Sequence, residues 1–135
     1  MAETGTKILV VEDEPIVLHT LQLILKQHGY DVKGARDGNE ALSVGLDFDP
    51  AILLCDINLP DIDGIQISLR LKKTLPSMRV ILLSGEISSS ELLDDASRAG
   101  HHFEVLAKPT EPQELLHVLA LPPKHRDPHG IHRVK

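Results

Sequence analysis

Apolar residues gather in five short runs, at 8–11, 32–35, 51–55, 80–83 and 103–107. Continuous aliphatic stretches of this length predict strands buried on both faces, with 32–35 the weakest of them. Between and after the runs the spacing turns helical. It is clearest over 15–28, where Val17, Leu21, Ile24, Leu25 and His28 are expected to share one face. Pro15 occupies a first helical turn, which tolerates proline, and Gly29 stands where a helix stops. The other predicted helices cover 37–46, 64–74, 89–99 and 111–120, and capping-box spacing pairs Ser88 with Glu91 and Thr110 with Gln113.

Strand and helix alternate five times, which calls for a parallel sheet with right-handed crossovers and helices on both faces. This predicts a doubly wound α/β domain, which binds ligands outside the carboxyl ends of its strands. After Leu121 the periodicity breaks at Pro122-Pro123, and a basic, histidine-containing tail is expected over 122–135. The expected division is an N-terminal extension over 1–6, a single domain over 7–121 and that tail.

Composition narrows the function classes. Aromatic residues make up 2% of the 135-residue chain, too few for the stacking platforms used on single-stranded nucleic acid. A lone cysteine, Cys55, excludes an intramolecular disulfide and a cysteine-based zinc site. The net charge of −6 is uneven: four basic residues and one acid lie from Lys124 onward, leaving ten basic against nineteen acidic residues and a net −9 before it. Such an acidic body argues against DNA as a direct partner, because phosphate contacts dominate that binding. No apolar run approaches the length of a membrane span, and 1–7 has no apolar signal-peptide segment, so a cytoplasmic location without membrane insertion is expected.

The strand ends bring the chemistry. Strand one ends in Val11-Glu12-Asp13-Glu14, strand three in Cys55-Asp56-Ile57-Asn58, strand four in Leu83-Ser84-Gly85-Glu86 and strand five in Ala107-Lys108-Pro109. Carboxylates crowded on one edge repel unless a cation sits among them, and Lys108 alone cannot neutralise them. Oxygen ligands with an open coordination sphere suit Mg²⁺ or Mn²⁺. A carboxylate also serves as a nucleophile toward phosphorus, and the protein's part in phosphoryl transfer is positioning and charge neutralisation. On this reading Asp56 accepts the phosphoryl group, Asp13 binds the metal, and Glu12 binds the metal or holds a metal-bound water.

The stretches KILVVEDEP, LLCDINLPDIDG, VILLSG and AKP resemble, in order and with similar separations over about 7–120, the motifs of bacterial response-regulator receiver domains of the chemotaxis-regulator kind. The resemblance implies a flavodoxin-like sheet of order 2-1-3-4-5. It implies that Asp56 accepts a phosphoryl group from a kinase histidine, and that Glu12, Asp13, Asp56 and the main-chain carbonyl of Asn58 hold the metal. Ser84 then matches the switch hydroxyl, Gly85 the small residue that leaves access, and Lys108 the phosphoryl-contacting lysine, joined to Pro109 by a cis bond. Asn58 and Glu86 match positions that tune loss of the phosphoryl group, and a short-lived phosphorylated state is expected. The implied partners are a histidine kinase or phosphotransfer protein and a downstream effector, with the chain a monomer or a weak phosphorylation-dependent dimer.

The chain departs from the family pattern at three places. Val105 stands where an aromatic switch residue is usual, with Phe103 two positions earlier. The segment between Gly100 and Lys108 is one residue longer than common, and helix five is cut short by Pro122-Pro123. Several residues also have plainer readings. Asp61 and Asp63 are expected to serve the loop and the start of helix three, Cys55 to be core, and His125, His129 and His132 to belong to a solvated tail. His101 and His102 are partner contacts or exposed loop.

The leading expectation is a signalling switch rather than an enzyme acting on another substrate. It is a stand-alone receiver or part of a longer regulator, and its output passes through protein contacts or a domain absent from this chain. One alternative is a Mg²⁺-dependent phosphohydrolase with an aspartyl nucleophile; that chemistry wants Asp-x-Asp, whereas Asn58 holds the second position. The other is a phosphorylation-independent, receiver-like binding module.

Overall fold

The computed structural model describes residues 5–85 and 88–123, the side chains at 88–90 excepted. Five strands, β1 (Lys7–Val11), β2 (Asp31–Ala35), β3 (Ile52–Asp56), β4 (Arg79–Ser84) and β5 (Glu104–Ala107), form one parallel sheet of order β2-β1-β3-β4-β5. The helices α1 (Pro15–Gln27), α2 (Gly38–Phe48), α3 (Gly64–Thr74), α4 (Ser88–Arg98) and α5 (Pro112–Ala120) alternate with them. The doubly wound fold expected from the sequence is the one observed.

Alternation along each strand splits the core. Ile8, Val10, Leu54, Ile81 and Leu83 face α1 and α5, where Leu18, Leu21, Leu25, Leu115 and Leu119 meet them. Leu9, Val11, Leu53, Cys55 and Leu82 face the other way, against Ala41, Ile65, Leu71 and Ala96. Every β3 residue is buried, as expected of a central parallel strand covered on both sides.

Several local expectations need correction. The buried stripe of α1 is Leu18, Leu21 and Leu25, so Ile24 is only half-buried and His28 is exposed at the C-cap. His28 Nδ1 instead lies 3.0 Å from the Ile24 carbonyl oxygen. Gly29, at φ 94°, ends the helix as expected. The α2 helix runs past Leu46 to Phe48, because Phe48 is buried and Asp49, in the left-handed region, donates its N–H to the Gly45 carbonyl. The Thr110 and Gln113 capping box does not form: Glu111 is the N-cap, and the Thr110 hydroxyl donates to the Ala107 carbonyl at 3.0 Å. The Ser88 side chain lies outside the described residues.

Gly5 and Thr6, expected to lie in the N-terminal extension, hydrogen-bond to the domain: Gly5 N–H reaches the Gly29 carbonyl at 2.8 Å, and Asp31 N–H reaches the Thr6 carbonyl at 2.9 Å. Residues 124–135 of the expected tail lie outside the described residues. Among the described residues no helix is long and apolar enough to cross a membrane.

An ion pair joins β4 to the edge strand β5, and its arginine also reaches the end of α5. The Arg79 guanidinium grips Glu104 with two hydrogen bonds, at 2.9 and 2.8 Å, and donates to the carbonyls of Leu121 (2.9 Å) and Val118 (3.1 Å) at the end of α5. Both side chains are nearly buried, at 9% and 12% exposed. Arg79→Leu is therefore expected to destabilise the fold by about 3 to 5 kcal/mol in urea unfolding, because it strands Glu104 and the helix carbonyls. Arg79→Lys should recover only a small part, since an ammonium cannot supply the planar fork. A loss below about 1 kcal/mol for Arg79→Leu would show the pair to be energetically idle.

Candidate functional site

The parallel register carries the ends of β1, β3 and β4 to one edge. Val11 is opposite Cys55, Asp56 opposite Leu83, and Ser84 opposite Ala107. Glu12 follows β1 directly and is fully buried, Asp56 is the last residue of β3 and nearly so, and Asp13 stands exposed beside them. Carboxylate oxygens of these three residues lie within 4.8 Å of one another.

One ammonium reaches the two buried members. Lys108 Nζ is 3.1 Å from Glu12 Oε1 and 3.1 Å from Asp56 Oδ2. Main-chain donors take the opposite oxygens: Glu14 N–H donates to Glu12 Oε2 at 3.2 Å, and Asn58 N–H to Asp56 Oδ1 at 3.1 Å. Burial pushes the Glu12 carboxyl above its ordinary range; the Lys108 hydrogen bond opposes this and the Asp56 charge adds to it. Burial alone would pull Lys108 down, but its bonds to Asp56 and Glu12 outweigh that and hold it above its ordinary value.

Three carboxylates against one ammonium leave two negative charges, which a divalent cation cancels. The donors are all oxygen, one carboxylate is open to solvent, and the site therefore fits a hard ion that keeps part of its hydration. A bound Mg²⁺ would be held by Glu12, Asp13 and Asp56 and would supply charge neutralisation there.

The remaining predicted residues surround this centre. Ser84 ends β4 half-buried, and its carbonyl accepts the Lys108 N–H at 3.0 Å. Gly85 follows it, exposed; a Cβ there would stand 3.1 Å from Lys108 Cβ. The Lys108-Pro109 bond is cis. Val105 is 40% exposed on β5, while half-buried Phe103 packs against the core cluster that holds Ala96, so no aromatic occupies the usual switch position. Glu86 and the tail histidines 125, 129 and 132 lie outside the described residues. Exposed His102 lies 3.4 Å from the Ser97 hydroxyl.

Cys55 is buried, and burial pushes its thiol up, which makes it a core residue. Asp63 caps α3 through Gln66 N–H at 2.9 Å, as the sequence suggested. Sequence reasoning missed two features. Asp61 accepts from the N–H groups of Gly38 and Asn39 at the start of α2, at 2.8 and 3.0 Å, and these bonds, Gly38 first, lower its carboxyl below the usual range. Gly64 is required by contact, since a Cβ there would lie 2.4 Å from the Asp56 carbonyl oxygen. The Gly38/Asp61 match spans more than twenty residues and leaves no local signal, whereas glycine at the head of a predicted helix was a readable cue for Gly64.

Residues 8–120 match the family model of the response regulator receiver domain, so the chain belongs to that family. It is 37% identical over 112 residues to an uncharacterized transcriptional regulatory protein of Bacillus subtilis, covering 83% of this chain and 48% of the relative. A receiver domain from Clostridium thermocellum superposes with TM-score 0.75 at 29% identity, covering 84% of this chain and 90% of that one. The Thermotoga maritima response regulator TrrA, solved in complex with Mg²⁺ and BeF, gives 0.73 at 28%, covering 84% and 96%. The chain spans between 26% and 48% of the length of three curated relatives it matches.

Lys108→Met keeps most of the stem and leaves the two buried carboxylates without their cation. In metal-free buffer at pH 7 it is expected to lower stability by about 1 to 3 kcal/mol. As pH falls, the folded state binds a proton at Glu12 before the unfolded chain does, because the folded pKa is the higher one. Protonation removes one of the two repelling charges, so the deficit of the variant should shrink toward acid pH. Urea midpoints of both proteins across pH 4.5 to 8, roughly the span set by an ordinary carboxylate and neutrality, check this; a deficit that stays constant contradicts it.

Proposed function

We propose that this chain, as a receiver, accepts a phosphoryl group on Asp56 with Mg²⁺ or Mn²⁺ and changes the surface it presents to a downstream protein. The observation that carries the reading is the convergence of Glu12, Asp13 and Asp56 at the carboxyl edge of the sheet, with Lys108 paired to the two buried ones. An Asp56 carboxylate oxygen forms a bond to phosphorus as the bond from phosphorus to the donor histidine nitrogen breaks, and the nitrogen leaves with the electron pair. The donor is a histidine kinase or phosphotransfer protein, and the reaction takes place in the cytoplasm.

Lys108 then follows the new phosphoryl oxygens instead of the bare carboxylate. Its main chain is bonded to Ser84, so a shift of Lys108 is felt at the ends of β4 and β5 together. The Ser84 hydroxyl turns toward the phosphoryl group, and Gly85 keeps the approach open. Among its described side chains the neighbouring α4 buries Ala96 alone, with Leu92 and Leu93 half-buried, a sparse anchorage to the sheet. Phosphorylation shifts the population of that face. Without an aromatic at Val105, coupling rests on Ser84 and Lys108. Asn58 and Glu86 tune loss of the phosphoryl group. The protein is a signalling switch, monomeric or weakly dimeric when phosphorylated, with the domain over 7–121 and a C-terminal tail beyond it.

Intact mass after incubation with acetyl phosphate and Mg²⁺, quenched rapidly in acid, tests this. Wild type should gain one phosphoryl group, Asp56→Asn none, and wild type in excess EDTA far less. No gain in wild type, with acetyl phosphate or with phosphorylated histidine kinase as donor, would leave a phosphorylation-independent binding module as the better reading.

A further inference from the structure

The loop over 57–63 follows β3 directly, its Asn58 N–H bonded to Asp56 Oδ1 at 3.1 Å, and its two ends are secured by main-chain bonds. Ile57 N–H donates to the Leu83 carbonyl at 3.1 Å, and Gly64 N–H closes the loop onto the Ile57 carbonyl at 2.8 Å. The far side of the loop is held differently. Asp61 reaches across to the N-terminus of α2, where Oδ1 accepts the Gly38 N–H and Oδ2 the Asn39 N–H. Asp37, the N-cap of α2, takes the Glu40 N–H at 2.9 Å, so the two carboxylates divide the first free donors of this helix between them.

The fit is close enough to need glycine. A Cβ on Gly38 would stand 2.9 Å from Ile62 Cβ and 3.1 Å from Asp61 Oδ1. The α2 helix packs against β1, β2 and α3, and the Glu12 N–H that follows β1 is bonded to the Ala35 carbonyl at 3.1 Å just before α2 begins. The clamp therefore references the β3–α3 loop to the same part of the molecule that holds Glu12.

We propose that Asp61, seated on Gly38, is a positioning residue that holds the Asn58 carbonyl in line with Glu12, Asp13 and Asp56, and so sets the affinity for a divalent cation; this rests on the metal-binding reading of that cluster. Asp61 touches neither the cation nor the phosphoryl group. It restricts the loop before the ion arrives, which lowers the ordering cost of binding.

Calorimetric titration of Mg²⁺ into full-length protein, with no phosphodonor present, tests the clamp from both sides. Gly38→Ala changes no charge and pushes the loop off α2, and Asp61→Ala removes the carboxylate. Each should weaken Mg²⁺ binding by about fivefold, below the 10- to 100-fold typical of groups bonded directly to a ligand. The double variant should be little worse than either single one, because both break one contact. Asp61→Asn, which keeps an acceptor oxygen, should recover part of the loss, and it replaces Asp61→Ala in the series if that variant does not fold.

Asp37→Ala also removes a charge and a cap from α2 but leaves the loop alone, so it should bind Mg²⁺ within about twofold of wild type if positioning rather than helix stability matters. Amide exchange in metal-free protein should quicken at Ile62 in Gly38→Ala and not in Asp37→Ala. Wild-type affinity in Gly38→Ala, or equal weakening in Asp37→Ala, overturns the positioning role while the metal site stands. No Mg²⁺ binding in wild type overturns the metal reading itself.

Discussion

Glu12 and Asp56 are buried carboxylates that share one ammonium, and Asp13 adds a third negative group at the mouth of the same site. Such a cluster costs stability, because desolvated like charges repel and Lys108 offsets only part of the repulsion. The cost has a use. A site with surplus negative charge and hard oxygen donors attracts a divalent cation, and the cation in turn makes room for the incoming charge of a phosphoryl group.

The sheet exists, in this view, to hold that imbalance. Parallel register brings β1 and β3 to the same edge, and the aliphatic cores on both faces fix the strands that end in Glu12 and Asp56. Lys108 arrives from β5, at the sheet's margin, where fewer neighbours oppose movement. The centre of the sheet thus carries the buried carboxylates, and the edge carries the ammonium that pairs with them. Arg79 ties that edge to the end of α5, so β5 and the C-terminal side of the domain are mechanically joined.

What was legible in the sequence follows from how local its cause is. Strands β1, β3 and β4 were readable as dense aliphatic runs, β2 (DVKGA) only weakly, and the observed boundaries fall within one residue of the expected ones. The site was readable because its residues stand at strand ends, and the strand order implied by the family resemblance brings Glu12, Asp56 and Lys108 to one edge. Leu18 was missed because helical spacing fits two adjacent stripes on α1, and only packing against the sheet selects one. The Thr110 capping box failed because the chain turns at Thr110 itself, whose hydroxyl bonds back to Ala107. The Asp61 clamp joins loop and helix across the fold, and no periodicity reports such a meeting.

The most direct test of the central claim is a calorimetric titration of Mg²⁺ into the wild type and Asp13→Asn at pH 7. A single ion should bind the wild type, with affinity reduced at least about tenfold when the exposed carboxylate of Asp13 is neutralised. Binding of equal strength in both proteins would contradict the account, since it would place the ion somewhere other than among these three carboxylates.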